Sequence, residues 1–253
     1  MAARIDLNCD LGEEVDAWEP GVDGLDTMLL DIVTSANVAC GFHAGDERIM
    51  AAVCRAAAVR GVAVGAHVSY RDREHFGRRF VDVPPDVLRA QVAQQIGALQ
   101  AIAHHEGTRV AYVKPHGALY NAVVHHEEHA QAVVAALTDL PVLGLPGSAV
   151  LAAATARGLR AVTEAFADRG YRADGTLVPR SEPGALVTDT DEVAARVVRL
   201  ATEGVVRAVD GTEVRVGAES VCVHSDTPGA AALARTVRAS LVENGVAVVP
   251  FVA

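Results

Sequence analysis

Short apolar runs alternate along the chain with longer segments whose apolar positions recur at helical spacing. This alternation predicts repeated βα units and a parallel sheet. The apolar runs predict seven or eight strands, at Arg4–Asn8, Val33–Val38, Val62–Ala66, Val110–Lys114, Val142–Gly144, Arg160–Glu164, Ser220–Val223 and Val246–Pro250. The longer segments predict helices at Glu47–Arg60, Pro85–Glu106, His126–Thr138, Ser148–Arg157, Asp191–Glu203 and Pro228–Asn244.

One segment interrupts this alternation before the seventh strand. Residues Val205–Glu219 hold Asp210-Gly211 between valine-rich flanks, which predicts an inserted β-hairpin. No linker or low-complexity tract divides the chain, and a length of 253 residues suits one α/β barrel. We therefore predict a single barrel domain over residues 1–253.

Composition argues against several classes of protein. Aromatic residues make up only 4% of the chain and hydrophobic residues 51%, so the core should consist of Ala, Val and Leu. No apolar run is long enough to span a membrane and no secretory leader is recognisable, which predicts a cytoplasmic protein. A formal charge of -10 without a basic run argues against nucleic-acid binding. The dispersed cysteines lack CxxC spacing, which argues against disulfides and a zinc knuckle.

Polar side chains concentrate in the last residues of the predicted strands and directly after them. The C-terminal strand ends of α/β barrels face the ligand, so these side chains should meet in one cavity. They comprise Asp6, Asn8, Asp10, Glu13, His43, Asp46, His67, Asp72, Lys114, His116, Glu164, Arg169, His224 and Asp226. Five histidines on helical or polar stretches are expected to be solvated, namely His104, His105, His125, His126 and His129.

Lys114 is the only lysine in the chain, although lysine and arginine together total 22. Guanidinium is planar and stays charged, whereas the lysine ammonium is compact and its pKa responds to burial. Lys114 follows a buried strand and precedes Pro115 and His116. This placement indicates a function that requires an ammonium group.

The residue types leave several chemistries open. Carboxylates and imidazoles could hold a divalent metal that activates water, or could act as general acids and bases without one. The chain has no HExxH or HxH pair, so the metal signal is weak. It also lacks a Walker A loop, GxSxG and GxGxxG. Cys40 is a candidate nucleophile and Lys114 a candidate Schiff base, although an isolated buried cysteine usually serves packing.

Several long strings resemble the LamB/YcsF family, which includes the A-subunit of the prokaryotic ATP-dependent 5-oxoprolinase. They lie at Asp6–Glu13, Ser35–Asp46, Gly65–His67, Phe76–Arg79, Val113–Asn121, Glu164–Arg180 and Val223–Ala230. The resemblance implies an irregular (β/α) barrel of the glycoside hydrolase/deacetylase type, with about seven parallel strands. It also implies opening of the 5-oxo-L-proline lactam to L-glutamate, coupled to ATP hydrolysis, in a complex with subunits B and C.

Within that reaction, Lys114 is predicted to stabilise an oxyanion or a phosphoryl group. His116, His43 or His67 would activate water, supported by Asp10, Asp46 or Asp72. Arg169 or Arg180 would bind the substrate carboxylate. Glu164 is predicted to be catalytic. The other predicted substrate-binding residues are Asp6, Asn8, Glu13, Asp72, Asn121, His224 and Asp226.

The cofactor expected from the resemblance is ATP with Mg²⁺, although no nucleotide motif locates its site. A homo-oligomer is compatible with the sequence. Two alternatives stay open. One is a stand-alone metal-dependent amidohydrolase or deacetylase that needs neither ATP nor partners. The other is a non-catalytic substrate-binding subunit.

Overall fold

A closed ring of parallel strands forms the centre of the computed structural model, which describes residues 3–13, 18, 24–225 and 229–252. The strands are β1 (Arg4–Leu11), β2 (Ser35–Ala39), β3 (Ala63–Val68), β4 (Val110–Pro115), β5 (Val142–Gly144), β6 (Ala161–Phe166), β7 (Val205–Arg207), β8 (Glu213–Arg215), β9 (Ser220–Val223) and β10 (Ala247–Val248). In the described ranges, seven of them close the ring in the order β1-β2-β3-β4-β5-β6-β9, and β9 pairs with β1. The predicted irregular (β/α) barrel is confirmed.

The strand β9 closes the barrel because it pairs in parallel with two neighbours. Ser220 lies in register with Asp6 of β1 and with Glu164 of β6. Alternate residues of a strand point to the same face, so residues 6, 8 and 10 of β1 share one face. Their side chains form hydrogen bonds inside the ring, which places a column of polar groups along the barrel axis.

Helices cover the outside of the ring between successive strands. They are α1 (Leu25–Leu30), α2 (Glu47–Arg60), α3 (Pro85–His105), α4 (Gly117–His125), α5 (Glu127–Ala135), α6 (Ala149–Ala156), α7 (Thr190–Glu203) and α8 (Ala230–Glu243), with a 3-10 turn at Arg73–His75. None of the helices in the described ranges is long and apolar enough to cross a membrane.

The structure confirms the inserted hairpin and corrects some of the other predicted elements. β7 and β8 pair antiparallel, from Val205 opposite Arg215 to Arg207 opposite Glu213. The predicted strand Val246–Pro250 is reduced to β10, which pairs with the start of β1 and lies outside the closed ring. The helices α1 and α4 were not predicted. α1 is only six residues long, and α4 begins directly after the polar segment Lys114-Pro115-His116.

A close contact between β3 and β4 fills the barrel interior. Tyr112 is fully buried, and a Cβ atom added to Gly65 would lie 2.2 Å from its Cε2 atom. The Tyr112 hydroxyl donates to Asn37 Oδ1 at 2.6 Å, which fixes the ring in place. The absence of a side chain at Gly65 is therefore a packing requirement.

Gly65→Ala is expected to lower the free energy of unfolding by about 1–3 kcal/mol, because the methyl group overpacks the ring of Tyr112. Urea denaturation of wild type and variant measures this loss. Gly97→Ala in α3 is a matched control, since a Cβ there meets no atom within 4 Å. The control should gain about 0.5–1 kcal/mol from helix propensity. Equal stabilities of the two variants would contradict the packing argument.

Candidate functional site

The C-terminal ends of the barrel strands surround a cavity of about 670 Å³. The predicted site residues that line it are Asp10, Glu13, His67, Lys114, His116, Asn121, Arg169, Arg180 and His224. Most of these residues lie at or just after the ends of different strands, whereas Asn121 lies in α4 and Arg180 in the loop between β6 and α7. The structure therefore brings together the polar side chains that follow β1, β3, β4, β6 and β9.

Lys114 lies at the floor of the cavity with only 2% of its side chain exposed. Its ammonium nitrogen lies 2.9 Å from Glu164 Oε1 and 3.2 Å from Asp10 Oδ1. It also donates to Asn8 Oδ1 and to Cys222 Sγ, each at 3.2 Å. The single lysine therefore neutralises two carboxylates at the centre of the barrel.

These carboxylates determine the charge state of the lysine. Burial by itself lowers the pKa of Lys114, but Asp10 and Glu164 outweigh burial and hold it well above its ordinary value. For the acid Asp10, burial by itself has the opposite effect and raises the pKa. His67 and Lys114 outweigh burial and hold the pKa of Asp10 well below its usual range. A Schiff-base lysine must lose its proton near neutral pH. The environment favours a permanent ammonium instead.

Asn8 connects the lysine with a lower layer of polar groups. Its Nδ2 atom donates to Glu164 Oε1 at 2.9 Å and to Ser220 Oγ at 2.7 Å. The Ser220 hydroxyl in turn donates to Asp6. Asp6 and Asn8 were predicted to bind substrate, but both lie beneath the residues that line the cavity. They instead hold Lys114 and Glu164 in position.

Asp6 is an acid held among hydroxyl donors. Ser35 and Thr34 donate to its Oδ1 atom at 2.6 and 2.7 Å. Burial raises its pKa from 3.8 to about 6, although the three hydroxyl donors lower it. The folded protein therefore binds a proton at Asp6 in a pH range where the unfolded chain has lost it.

This difference makes stability depend on pH. Because the folded pKa of Asp6 is the higher one, its contribution is present at about pH 4 and is lost as the pH rises through about 6. At 1.36 kcal/mol per pKa unit, a rise from 3.8 to about 6 corresponds to about 3 kcal/mol. Asp6→Asn cannot ionise, so its stability relative to wild type should increase by about that amount as the pH rises from below 3.8 to well above 6. Urea denaturation at successive pH values measures the difference, and a constant difference would contradict the assignment.

Three histidines converge on one carboxylate oxygen at the side of the cavity. Glu13 Oε1 lies 3.0 Å from His43 Nε2, 3.2 Å from His116 Nδ1 and 3.7 Å from His67 Nε2. His116 Nδ1 and His67 Nε2 are 3.0 Å apart. All four side chains are buried, and each offers one potential ligand atom within 4.8 Å of the other three.

The outer nitrogens of these rings contact other protein groups. His67 Nδ1 lies 3.2 Å from the Lys114 carbonyl oxygen, and His116 Nε2 lies 2.9 Å from that of Phe76. His43 Nδ1 lies 3.1 Å from Ser69 Oγ. Burial lowers the pKa of His43 to about 3, although Glu13 raises it, so this ring is neutral at pH 7.

Another imidazole faces the cavity from the loop after β9. His224 Nδ1 lies 2.7 Å from Asp168 Oδ1, and its ring stacks on Phe166 with the centroids 5.4 Å apart. A carboxylate bound to Nδ1–H fixes the tautomer and leaves Nε2 as the basic atom. This is the geometry of a general base, and Asp168, which holds the ring, was not predicted from the sequence to belong to the site.

Two predicted site carboxylates, Asp46 as a catalytic residue and Asp72 as a substrate-binding one, do not line the cavity. Asp46 is exposed and caps α2 by accepting Ile49 N–H at 2.8 Å. Asp72 is buried, accepts Arg79 N–H at 3.1 Å and lies 2.9 Å from His75 Nδ1. Both positions correct the expectation that these acids support a cavity histidine. Asp226 lies outside the described residues.

His129 corrects the expectation of a solvated ring. It is 1% exposed, its Nε2 atom lies 3.0 Å from the Val83 carbonyl oxygen, and the Tyr70 hydroxyl lies 2.6 Å from its Nδ1 atom. The polar sequence around it suggested solvent, but the ring instead ties the loop after β3 to α5.

Cys40 does not have the environment of a nucleophile. Burial raises the pKa of its thiol to about 12, and the sulfur donates to the Val38 carbonyl at 3.1 Å. A catalytic cysteine needs a thiolate near neutral pH. The packing role is therefore favoured.

Tyr120 adds an unpredicted polar group to the cavity wall. In the part of the chain that the structure describes, its buried hydroxyl forms no hydrogen bond of normal geometry, and neither does Glu164 Oε2. Tyr120 follows Lys114 in the same segment of the sequence, but its position in the site depends on α4, which was not predicted. Burial and the Glu164 carboxylate raise the pKa of Tyr120 well above its ordinary value, so its hydroxyl stays protonated at the cavity wall.

Comparison with known proteins gives matches over nearly the whole chain. A model of the LamB/YcsF family matches residues 5–253. A protein of Streptomyces avermitilis that is named as the A-subunit of 5-oxoprolinase is 59% identical over 251 residues, which cover 98% of this chain and 99% of the relative. The crystal structure of a lactam utilization protein from Thermus thermophilus superposes with a TM-score of 0.91 at 42% identity, covering 98% of this chain and 100% of that one.

A more distant structure shares the fold alone. The Bc1960 peptidoglycan N-acetylglucosamine deacetylase superposes with a TM-score of 0.50 at 11% identity, covering 99% of this chain and 86% of that one. This likeness confirms the predicted deacetylase-type barrel.

Proposed function

Because this chain belongs to the LamB/YcsF family, we propose that it is the A-subunit of a 5-oxoprolinase, which opens 5-oxo-L-proline to L-glutamate with ATP hydrolysis in a complex with subunits B and C. The name of the Streptomyces avermitilis relative supports the assignment. The observation that carries it is the position of the Lys114 ammonium in a cavity that is also lined by His67, His116 and His224. The cavity thus places an ammonium group, which can stabilise developing negative charge, near imidazoles that can act as bases.

Anion binding is assigned to the rim of the cavity. Arg78, Arg169, Arg172 and Arg180 all line it, although the chain as a whole has a formal charge of -10. Arg169 is held in place by donating to the carbonyls of Ala185 and Val178. We assign the substrate carboxylate to the edge formed by Arg169 and Arg180, because guanidinium binds carboxylates in a bidentate manner.

Lys114 is assigned to the reacting carbonyl. A five-membered lactam is a stable amide, so its opening requires charge to develop on the carbonyl oxygen or on a phosphoryl group transferred from ATP. A fixed ammonium in a buried site stabilises that charge without reorganising. Glu164 and Asp10 keep the ammonium protonated and in place. Mg²⁺ would accompany the ATP.

Water activation is assigned to the imidazoles on the cavity wall. His224 has the geometry of a general base, since Asp168 holds its Nδ1–H. His67 and His116 also line the cavity, next to Asp10 and Glu13. His43 does not line the cavity and acts by holding Glu13.

The test is release of glutamate from 5-oxo-L-proline with and without ATP, by this chain alone and with subunits B and C. We expect turnover only from the complete complex with ATP. Turnover by the chain alone without ATP would overturn the proposal in favour of a stand-alone amidohydrolase, the alternative that the Glu13 and histidine cluster favours. Unchanged turnover of a complex carrying Lys114→Ala, His116→Ala or Asp10→Ala would instead indicate a non-catalytic binding subunit.

A further inference from the structure

We propose that Glu13, His67 and His116 bind one divalent first-row transition cation, with Zn²⁺ as the best match to the donor set. The His43 ring stacks on His116 with the centroids 3.7 Å apart and holds Glu13 from outside the coordination shell. The proposal rests first on the pair His67 and His116, whose ring nitrogens face each other. Three observations support this site: the positions of the protons on the two rings, the distances between the ligand atoms, and the backbone contacts that orient the rings.

The outer hydrogen bonds fix where the ring protons are. A backbone carbonyl only accepts, so His67 Nδ1 must donate to the Lys114 carbonyl and His116 Nε2 to the Phe76 carbonyl. In the neutral rings, His67 Nε2 and His116 Nδ1 therefore both carry lone pairs. These two atoms lie 3.0 Å apart, so two acceptors face each other. A cation must lie between or beside them.

Glu13 strengthens this requirement. Its Oε1 atom, another acceptor, lies 3.2 Å from His116 Nδ1 and 3.7 Å from His67 Nε2. Asp10 Oδ1 lies 3.4 Å from the same His67 atom. Negative and lone-pair groups thus converge on one buried point from several directions, which is the arrangement of a coordination shell.

The spacing of the donors fits a small transition cation. With bonds of about 2.0–2.1 Å in tetrahedral geometry, ligand atoms lie roughly 3.3 Å from one another. Glu13 Oε1 lies 3.2 Å from His116 Nδ1 and 3.7 Å from His67 Nε2, and these two nitrogens are 3.0 Å apart. Two imidazole nitrogens and one carboxylate oxygen, with a fourth position left open, suit Zn²⁺ and its neighbours, whereas Mg²⁺ prefers an all-oxygen shell.

The surrounding backbone holds the rings in this orientation. Phe76, whose carbonyl binds His116, has a φ of 54°, a conformation that is unfavourable for a residue with a side chain. A Cβ atom on the adjacent Gly77 would lie 2.9 Å from both His43 Cβ and His116 Cδ2. Metal-binding histidines are oriented by such carbonyl contacts at the other ring nitrogen. The loop after β3 therefore supplies the outer support of the site.

The inference rests on the proposed function only for the role of the ion. A cation at this wall of the cavity would polarise a carbonyl group or lower the pKa of a water molecule. Binding itself is independent of the reaction, so it is measured without substrate or partners. If either the metal site or the proposed function is contradicted, the other can still be tested separately.

The experiment uses the full chain purified without chelator. Mass-spectrometric elemental analysis should find about one transition metal per chain. After the metal is stripped, calorimetric titration with Zn²⁺ should show one site, and Co²⁺ should give visible absorption typical of tetrahedral coordination. His116→Gln should weaken Zn²⁺ binding at least about 100-fold. His105→Gln, on the exposed end of α3, is the matched control and should bind like wild type.

The alternative is a proton shared between His67 and His116. In that case the purified chain contains no transition metal, and the stripped chain takes up neither Zn²⁺ nor Co²⁺, which overturns the proposal. Equal Zn²⁺ affinity of wild type and His116→Gln would overturn it as well. If His116→Gln does not fold, His67→Asn provides the same comparison, because it removes the donor nitrogen from β3 instead.

Discussion

With arginine in place of Lys114, turnover of 5-oxo-L-proline by the assembled enzyme is expected to fall about 10²- to 10³-fold. Arginine retains the positive charge, so a fall in turnover shows that the reaction depends on the compact shape of the lysine ammonium. Glu164, Asp10 and Asn8 each approach the ammonium nitrogen within 3.2 Å, which matches a compact donor. A planar guanidinium on a longer side chain cannot occupy this position without displacing its neighbours.

The measurement is kcat and KM of the complex reconstituted with Lys114→Arg, and the loss should appear in kcat. Unfolding midpoints and complex assembly are measured in parallel, so that a folding defect is recognised. Arg60→Lys, at the exposed contact of Arg60 with Asp31, is a control that exchanges the two cations without an expected effect. Full turnover by Lys114→Arg would remove the basis for a special role of the lysine.

Lys114→Met is expected to lower the free energy of unfolding by about 3–5 kcal/mol, because it leaves a buried charge without its partner. The Glu164 side chain is 0% exposed and depends on Lys114 at 2.9 Å and on the Asn8 amide at 2.9 Å. Denaturant unfolding of the chain measures the loss. At the surface, Arg60→Met should cost less than about 1 kcal/mol, because solvent screens the exposed pair.

A double variant separates the charge from the packing. Lys114→Met with Glu164→Gln should recover a substantial part of the stability, since neutral groups of similar shape can replace a buried ion pair at little cost. If the double variant is as unstable as the sum of the two single variants, the buried charges are not coupled. The loss would then come from packing around the methionine.

The strand ends and the cavity could be predicted from the sequence, because both depend on local patterns. Apolar runs ending in a histidine or a lysine placed His67, Lys114 and His224 at the correct edge of the sheet. The depth of each polar group within the barrel could not be predicted. Asp6 and Asp10 share one face of β1, but only the register of the strands places Asp6 beneath the cavity and Asp10 beside it.

Hydrogen bonds between side chains that are distant in the sequence could not be predicted either. Asn37 donates to both Asn8 and Asp10, and it looks in the sequence like one more polar residue in a strand. Asp168 orients His224 from 56 residues away. Asp46 was predicted to be catalytic because it follows a histidine-bearing turn, yet an acid immediately before a helix is equally suited to capping. Local spacing does not distinguish these roles.

The double pairing of β9 has a consequence for how the chain folds. Until Ser220–Val223 is in place, β1 and β6 both keep an open edge, and the hydroxyl that reaches Asp6 lies 214 residues away in sequence. Contacts of such long range form slowly, because the entropy of closing a large loop is lost before they form. During synthesis, Lys114 and Glu164 therefore stay accessible to water until β9 has left the ribosome. Pairing of β9 with β1 and β6 then closes the ring and excludes solvent from these side chains.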